Sequence, residues 1–267
     1  HNPTIHKFGN KFYLYYTGNT GDGICTATLN FTHRNNQRIG VAVATSPNGP
    51  WARFDTPLID ISPDSLSHDA LMVSNPSVTM RPDSTFLLIY KAVGKKNKPP
   101  FGGPVVHLTA TSDSPAGPFI KQQVPVLKSK DVNFPAEDPY IWYQGDRYYE
   151  IVKEMNGYVT KAGRSLALFE SVDGFSWEPS VNVLVSDLTI YREDGMKQKM
   201  SHLERPQIYF EDGKPTVLLV AADILENGVI NESYNIQIPL ASSELTRQKK
   251  IEPSIFDEKS DIPDTIK

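Results

Sequence analysis

Several features that would narrow the function are scarce or missing in this chain of 267 residues. Its single cysteine, Cys25, excludes an internal disulfide framework and a cysteine-based metal cage. No run of about 18 apolar residues is present, so we expect no membrane-spanning helix. The formal net charge is −4 and no long basic block occurs, which argues against a dedicated nucleic-acid binder. The six histidines lack metal-ligand spacing, so no metal site is predicted.

Helical periodicity is also lacking, because no segment keeps an apolar period of about 3.6 residues over three turns. The chain instead has 39% hydrophobic and 10% aromatic residues, with 21 prolines and 17 glycines. This apolar content is too high for a disordered chain. The combination predicts an all-β protein of short strands and turns.

Four segments of the chain begin in the same way. Each has a residue followed by proline, an extended aromatic stretch, a turn and a second aromatic strand. Their prolines, which are 73, 63 and 67 residues apart, are Pro3, Pro76, Pro139 and Pro206. A strand, turn and aromatic motif recurs later in the first three units, at 44–51, 110–119 and 169–177. Each unit is therefore two hairpins, the pattern of a β-propeller blade, whereas a β-sandwich is not expected to show such phased repeats.

These repeats predict the domain organisation. Residues 1–240 are expected to form propeller blades, and the polar segment 241–267 is expected to be a closing strand or tail of the same domain. Four blade starts are evident. The arrangement we predict is a five-bladed β-propeller whose first blade lies upstream of His1.

The residues just before each repeated proline are candidates for one shared site. The innermost strand of each blade lines the centre of a propeller, so these positions are predicted to be neighbours in space. Carboxylates and amides there suit a sugar, whose hydroxyls need paired donors and acceptors. The positions, with His202 close by in sequence, are His1 and Asn2, Ser74 and Asn75, Glu137 and Asp138, and Glu204 and Arg205.

The pattern resembles the five-bladed propeller glycoside hydrolases of families 43 and 117. The resemblance is strongest in residues 136–142, Ala-Glu-Asp-Pro-Tyr-Ile-Trp, and in residues 202–207, His-Leu-Glu-Arg-Pro-Gln. Enzymes similar to family 43 use two Asp residues and one Glu from successive blades. Glu137 matches the Glu position, but Asn2 and Asn75 stand where the two Asp residues would fall in a direct register.

The resemblance to family 117 implies a different set of residues. Enzymes of that family take a His and a neighbouring Glu from a late blade, which here correspond to His202 and Glu204.

Glycosidic cleavage needs one acid to protonate the leaving oxygen and a second carboxylate to activate water or attack the sugar. We predict Asp138 and Glu204 as the reacting pair, Glu137 as the alternative acid and His202 as an acid or substrate-binding group.

Strand geometry limits which carboxylates meet the substrate. Adjacent side chains on a strand point to opposite faces, so only one of Glu137 and Asp138 is expected to face the substrate unless a bulge lies there. The predicted substrate-binding residues are His1, Asn2, Asp69, Asn75, Lys153 and Arg205.

Structural roles stay open for most of these residues. They are backbone acceptors for Glu137 and Asp138, an ion pair for Glu204 with Arg205, a wall position for His202, turn formation for Asn2 and Asn75, and a loop cap for Asp69. Lys91 and Lys153 follow second strands and could reach the shared site, but the pattern favours solvated lysines. Asp173 and Gly174, in a turn that resembles the Asp-box of other propellers, are predicted to be structural.

The resemblance implies an exo-acting glycoside hydrolase that takes a terminal sugar from a plant or algal oligosaccharide, in polysaccharide degradation. A periplasmic or extracellular location is expected, with no cofactor required and room for a structural cation in the central channel. The expected partner is an oligosaccharide, not a nucleic acid. A non-catalytic carbohydrate-binding propeller is the alternative, because Asn2 and Asn75 replace acids. A protein-interaction propeller is disfavoured, since acids and aromatics cluster at the blade starts.

Overall fold

The structure, a computed structural model, describes residues 1–24, 30–240 and 265–266. Cys25 and nearly all of the segment 241–267 lie outside these described residues. Within the described ranges, the only α-helix is α1 (Phe31–Asn35), so the expected low helix content is confirmed. No described helix has the length and apolar character needed to cross a membrane.

Apart from one two-stranded ribbon, the described strands form four antiparallel sheets, each with four strands hydrogen-bonded in chain order. The first blade contains β1 (Thr4–Phe8), β2 (Lys11–Gly18), β3 (Arg38–Ala44) and β4 (Ala52–Arg53). The second contains β5 (Met72–Met80), β6 (Phe86–Val93), β7 (Val105–Ser112) and β8 (Ile120–Lys121). The third contains β9 (Ala136–Gln144), β10 (Arg147–Glu154), β11 (Ser165–Ser171) and β12 (Glu178–Ser186).

The fourth blade follows a short ribbon. The ribbon pairs β13 (Thr189–Tyr191) with β14 (Lys197–Lys199). The blade contains β15 (His202–Glu211), β16 (Lys214–Glu226), β17 (Val229–Pro239) and β18 (Thr265–Ile266). Four blades are thus seen in the described residues, and the fifth stays a prediction.

The chain divides into two compact units. One comprises His1–Tyr148 with Ser171–Trp177, and the other comprises Tyr149–Glu170 with Glu178–Lys267. The first unit holds the first two blades, and the second holds the ribbon and the fourth blade.

The core of the first unit is built on both faces of β6, all of whose residues are buried. Alternate side chains point to opposite faces of a strand. Leu88 therefore packs in a cluster with Tyr15 of β2, while Leu87 packs in a cluster with Ile141 of β9. Each such fully buried side chain contributes about 1.5–3 kcal/mol to folding.

The residue before each repeated proline has the same unusual backbone. The φ angles are +52°, +52°, +55° and +56° for Asn2, Asn75, Asp138 and Arg205. The strand register shifts between Ser74 and Ser77 in the second blade and between Glu204 and Gln207 in the fourth. A proline has no N–H to keep the ladder, and Asn and Asp tolerate left-handed φ better than most residues. The X-Pro steps of the second and fourth blades are therefore β-bulges, and Asn2 and Asp138 give the first and third blade starts the same left-handed residue before proline.

The Asp173 turn is structural, as predicted. The Asp173 carboxylate accepts hydrogen bonds from the backbone N–H groups of Phe175 and Ser176, both at 2.7 Å. Gly174 has φ +82°, and its carbonyl accepts from Trp177 Nε1 at 3.0 Å. The turn thus returns Trp177 to pack against the cluster of Leu87 and Ile141.

Candidate active site at the blade starts

Three of the left-handed residues before proline meet in the first unit. The Asn2 side-chain amide donates to Asn75 Oδ1 at 2.5 Å, and the Asn75 amide donates in turn to Asp138 Oδ1. Asp138 is 3% exposed and Asn75 is 4% exposed. The backbone N–H of Asn75 donates to Thr17 Oγ1 at 3.0 Å. These contacts confirm that blade starts more than 60 residues apart in sequence are neighbours in space.

Glu137, beside Asp138 in the sequence, is held by a different partner. Lys91 of β6 donates to Glu137 Oε2 at 2.7 Å, and its ammonium lies 5.5 Å from the centre of the Phe134 ring. Lys91 is buried, so its interpretation as a solvated lysine is wrong. A lysine on a strand with both faces buried has little access to solvent and takes an ion pair instead.

Arg34 of α1 adds a second cation on this side. Its guanidinium donates to Asn35 Oδ1 at 3.0 Å and to the Pro100 carbonyl at 3.2 Å. Burial lowers the pKa of Arg34, and the Glu137 carboxylate acts in the opposite direction. Arg34 is absent from the residues that the sequence singled out, because its place depends on the fold of the β2–β3 connection.

The second unit contains a matching carboxylate group. Lys153 of β10 donates to Glu204 Oε1 at 2.6 Å, and Arg205 donates to Glu204 Oε2 at 2.5 Å. Lys153 is 3% exposed, so the solvated interpretation is wrong for this residue as well. The ion pair anticipated for Glu204 and Arg205 is present.

The two cations determine the protonation of Glu204. Burial acts to raise the pKa of Glu204, but the charges and hydrogen bonds of Lys153 and Arg205 outweigh it, and the pKa lies below its usual value. Glu204 is therefore a carboxylate at neutral pH. A carboxylate in this state can accept a proton or attack an electrophile, and it is poorly suited to donating a proton.

The Lys–Glu contacts repeat with the blades. In each case a lysine on the second strand of one blade reaches the glutamate that precedes the X-Pro step of the following blade. Thr17 holds the equivalent position on the second strand of the first blade. It pairs through backbone hydrogen bonds of 2.7 and 2.8 Å with His1, the residue that precedes Asn2. The repeat therefore extends from the backbone to the side-chain partners of the candidate acids.

His202 is fixed by a partner across the sheet. Its Nδ1 lies 2.7 Å from Asp223 Oδ1, and the two residues are paired in the register of β15 and β16. The carboxylate only accepts, so Nδ1 carries the proton and Nε2 is the remaining ring nitrogen. Asp223 escaped the sequence analysis, because only the strand register places it opposite His202.

His1 and Asp69 differ sharply in exposure. His1 is exposed, with its Nδ1 at 3.1 Å from Asn2 Oδ1. The Asp69 side chain is fully buried, pairs with Lys121 Nζ at 2.6 Å and accepts from Ser67 Oγ at 2.6 Å. The full burial of Asp69 and its contact with Ser67 of the same loop favour the loop-capping alternative.

An aromatic stack involving the partly buried His6 was not anticipated. The His6 ring stacks on Phe8 at 5.6 Å and on Tyr140 at 6.3 Å, measured between ring centres. Burial lowers the pKa of His6 to about 4, so its ring is neutral at physiological pH. The alternation of side chains along a strand does not reveal whether a histidine packs against aromatic rings, so the sequence did not indicate this role for His6.

Comparison with solved structures identifies the fold. A thermostable family-43 glycoside hydrolase shares 16% identity with a TM-score of 0.58, over 91% of this chain and 72% of its own. A family-32 β-fructofuranosidase from Bombyx mori shares 19% identity with a TM-score of 0.57, over 89% of this chain and 45% of its own. Zg3597, a family-117 glycoside hydrolase from the marine bacterium Zobellia galactanivorans, shares 18% identity with a TM-score of 0.56, over 84% of this chain and 56% of its own.

These likenesses confirm the predicted fold class: the chain has the all-β propeller fold that glycoside hydrolases of families 43, 32 and 117 also have. It spans about half the length of the family-32 and family-117 structures. No family model matches the chain, and no curated protein matches it.

Proposed function

We propose that this protein is a glycoside hydrolase that releases a terminal sugar from a plant or algal oligosaccharide. The observation that carries the proposal is the placement of partnered carboxylates at the starts of successive blades. Asp138 lies at the end of the Asn2–Asn75 amide chain, and Glu204 is held as an anion by Lys153 and Arg205. The chain that carries these two carboxylates has a fold that glycoside hydrolases also have.

The roles of the two carboxylates follow from their surroundings. Glu204, whose pKa is lowered, takes the role of base or nucleophile. Asp138, which is buried, takes the role of the acid. Glu137 is less suited to donating a proton because it is ion-paired with Lys91. That both carboxylates act on one substrate rests on their equivalent places in the repeat.

His202 supplies a second polar group beside Glu204 in sequence. The Asp223 carboxylate holds its Nδ1 proton, which orients the ring and leaves Nε2 for a sugar hydroxyl. We assign it a substrate-binding role, with proton donation as the alternative.

A carbohydrate-binding propeller without catalysis is the second candidate. One observation favours it: the starts of the first two blades carry the amides of Asn2 and Asn75, which bind hydroxyls but exchange no proton at neutral pH.

Substitution of the two carboxylates separates these functions. Glu204→Gln and Asp138→Asn would each lower turnover by about 100-fold or more, because acid–base groups contribute factors of that size. Release of labelled sugar from aryl glycosides and from plant and algal oligosaccharides measures turnover, and calorimetric titration measures binding. Sugar binding is expected to remain in both variants.

The controls are acidic residues away from the blade starts. Glu211→Gln, at an exposed position of the same strand as Glu204, and Asp113→Asn, also exposed, would keep wild-type turnover. Wild-type rates in Glu204→Gln and Asp138→Asn would refute the assignment of the pair. Saccharide binding without cleavage by the wild-type protein would establish the binding function instead.

A further inference from the structure

A pocket of about 230 Å³ lies at one corner of the first blade, outside the residues assigned above. It is formed where β2 ends, where β3 begins and by the chain that follows β4. The side chains that matter for a ligand are Tyr16, Asn19, Asn36, Arg53, Phe54 and Asp55. Two aromatic rings, two amides and a guanidinium provide both apolar and planar polar surface, the combination that sugar rings require.

The shape of this pocket depends on Gly40. Gly40 of β3 is paired with Tyr16 of β2. A Cβ atom at position 40 would lie 2.6 Å from the Tyr16 Cζ and 2.7 Å from its hydroxyl oxygen. The Tyr16 ring therefore lies across the glycine backbone, in space that any other residue would occupy. The ring presents its remaining surface to the pocket, and Phe54 adds a second ring that is 50% exposed.

The charges around the pocket are balanced. Arg38, which also lines it, is neutralised by Asp60 through a contact of 2.6 Å between Nε and Oδ1. Arg53 and Asp55 contribute one charge of each sign. A pocket with no excess charge favours an uncharged ligand over a phosphate or a carboxylate. Its volume is below the roughly 300–1,000 Å³ of pockets for drug-sized molecules, which suits a single sugar ring.

The pocket shares one end of β2 with the candidate active site. Tyr16 precedes Thr17, whose hydroxyl accepts the Asn75 N–H, and Asn75 binds Asp138. All of these residues belong to the first unit. Adjacent side chains on a strand point to opposite faces, so Tyr16 lies on the face of β2 opposite Thr17. A sugar chain with one unit near Asp138 of the third blade would reach this uncharged, aromatic-lined depression of the first blade over the end of β2.

We propose that this pocket is an additional subsite, in which an uncharged sugar unit of the oligosaccharide stacks on Tyr16 and hydrogen-bonds to Arg53 and the neighbouring amides. The proposal rests on the proposed function and adds to it a dependence on substrate length. Short substrates use the blade-start residues alone, and longer ones also occupy the pocket.

The test compares substrates of two lengths. The preference is the ratio of kcat/KM for the tetrasaccharide to that for the aryl monosaccharide of the same sugar. Tyr16→Ala would lower this ratio by about fivefold to tenfold, since an aromatic contact contributes about that factor. Tyr16→Phe keeps the ring and would keep most of the preference. Tyr209→Ala, which removes an exposed tyrosine of the fourth blade, would leave the ratio unchanged.

A second variant tests the same pocket without deleting the ring. Gly40→Ala would displace the Tyr16 side chain and lower the ratio as Tyr16→Ala does, with no further loss in the double variant. Titration of the tetrasaccharide and the monosaccharide into the Glu204→Gln protein measures the same preference as binding. Thermal unfolding of each variant checks that the blade is intact.

The outcomes separate the two proposals. Cleavage by the wild type with the same efficiency for both lengths, or an equal loss on both substrates in Tyr16→Ala, would overturn the subsite and leave the hydrolase function standing. Neither cleavage nor binding of any saccharide by the wild type would overturn both.

Discussion

The Glu204 carboxylate shows how a neighbouring charge determines which chemistry a side chain can perform. Burial alone would raise its pKa, and a raised pKa is what a proton donor needs. The buried Lys153 donates to Glu204 Oε1 at 2.6 Å, and Arg205 donates to Glu204 Oε2 at 2.5 Å. These two cations outweigh burial and lower the pKa of Glu204. The same glutamate without these cations would be a candidate acid, so the role assigned to Glu204 depends on Lys153.

Lys153→Met is therefore expected to move the pH dependence of activity. A base must be unprotonated, so the acidic limb of the kcat/KM profile reports its pKa in the free enzyme. Loss of the ammonium leaves burial less opposed, the pKa rises, and the acidic limb shifts upward by about one pH unit or more. Initial rates measured from about pH 3.5 to about pH 8, a range that brackets the pKa values of carboxyl groups, report the shift.

The matched control is Lys91→Met, which removes the equivalent lysine from Glu137. If Glu204 is the base, the acidic limb of Lys91→Met stays close to that of the wild type. A shift in Lys91→Met and none in Lys153→Met would transfer the role of base to Glu137.

At the scale of the strand, the left-handed residue before each proline joins backbone geometry to site chemistry. A regular strand would send adjacent side chains to opposite faces. The left-handed residue breaks that alternation, and it lets Asn2, Asn75 and Asp138 form one hydrogen-bonded chain. Asn is suited to this position because it tolerates positive φ and carries both a donor and an acceptor.

Substitutions of Asn75 separate the contribution of its left-handed backbone from the contribution of its side-chain hydrogen bonds. Asn75→Ala loses both side-chain hydrogen bonds and places alanine, which tolerates left-handed backbone less well than asparagine, at φ +52°. A loss of about 3 kcal/mol in the free energy of unfolding is therefore expected. Asn75→Gly accepts this φ and is expected to be about 1 kcal/mol more stable than Asn75→Ala. Urea denaturation measures all three proteins.

Asn227 provides the control, since it has φ +53° at an exposed turn. Asn227→Ala should therefore cost about 1 kcal/mol, the backbone contribution alone. Equal losses in Asn75→Ala and Asn227→Ala would show that the amide chain to Asp138 adds nothing to stability.

At the scale of the whole molecule, the repeat determines which distant residues become neighbours. Successive blade starts are 73 and 63 residues apart, yet Asn2, Asn75 and Asp138 are in direct contact. A site gathered at the starts of several blades receives a chain end more readily than a chain middle, which is the basis for the proposed exo action.

Exo action predicts a specific product pattern. During cleavage of an oligosaccharide of six units, the monosaccharide and the shortened chain of five units would be the first products. Chromatography of early time points from a substrate labelled at its reducing end measures them. Early release of two- to four-unit fragments would instead indicate internal cleavage, while leaving the carboxylate assignment intact.

The sequence was sufficient for the blades, for the low helix content and for the structural role of Asp173. These features depend on local patterns: hairpin turns, alternating apolar residues and a repeated X-Pro step. The two lysines were misjudged because a lone lysine in a strand is usually solvated. The near-continuous apolar run around Lys91 in β6 was the available sign that both faces of this strand are buried.

The sequence by itself determined the number of evident repeats, the strands within them and the candidate acids, since each of these is encoded in neighbouring residues. Only the tertiary structure decided which partners those acids have. Lys91 reaches Glu137 across 46 residues and Lys153 reaches Glu204 across 51. Charge, protonation and the Tyr16 pocket follow from such long-range contacts, because electrostatic and packing energies depend on distance in space and not on distance along the chain.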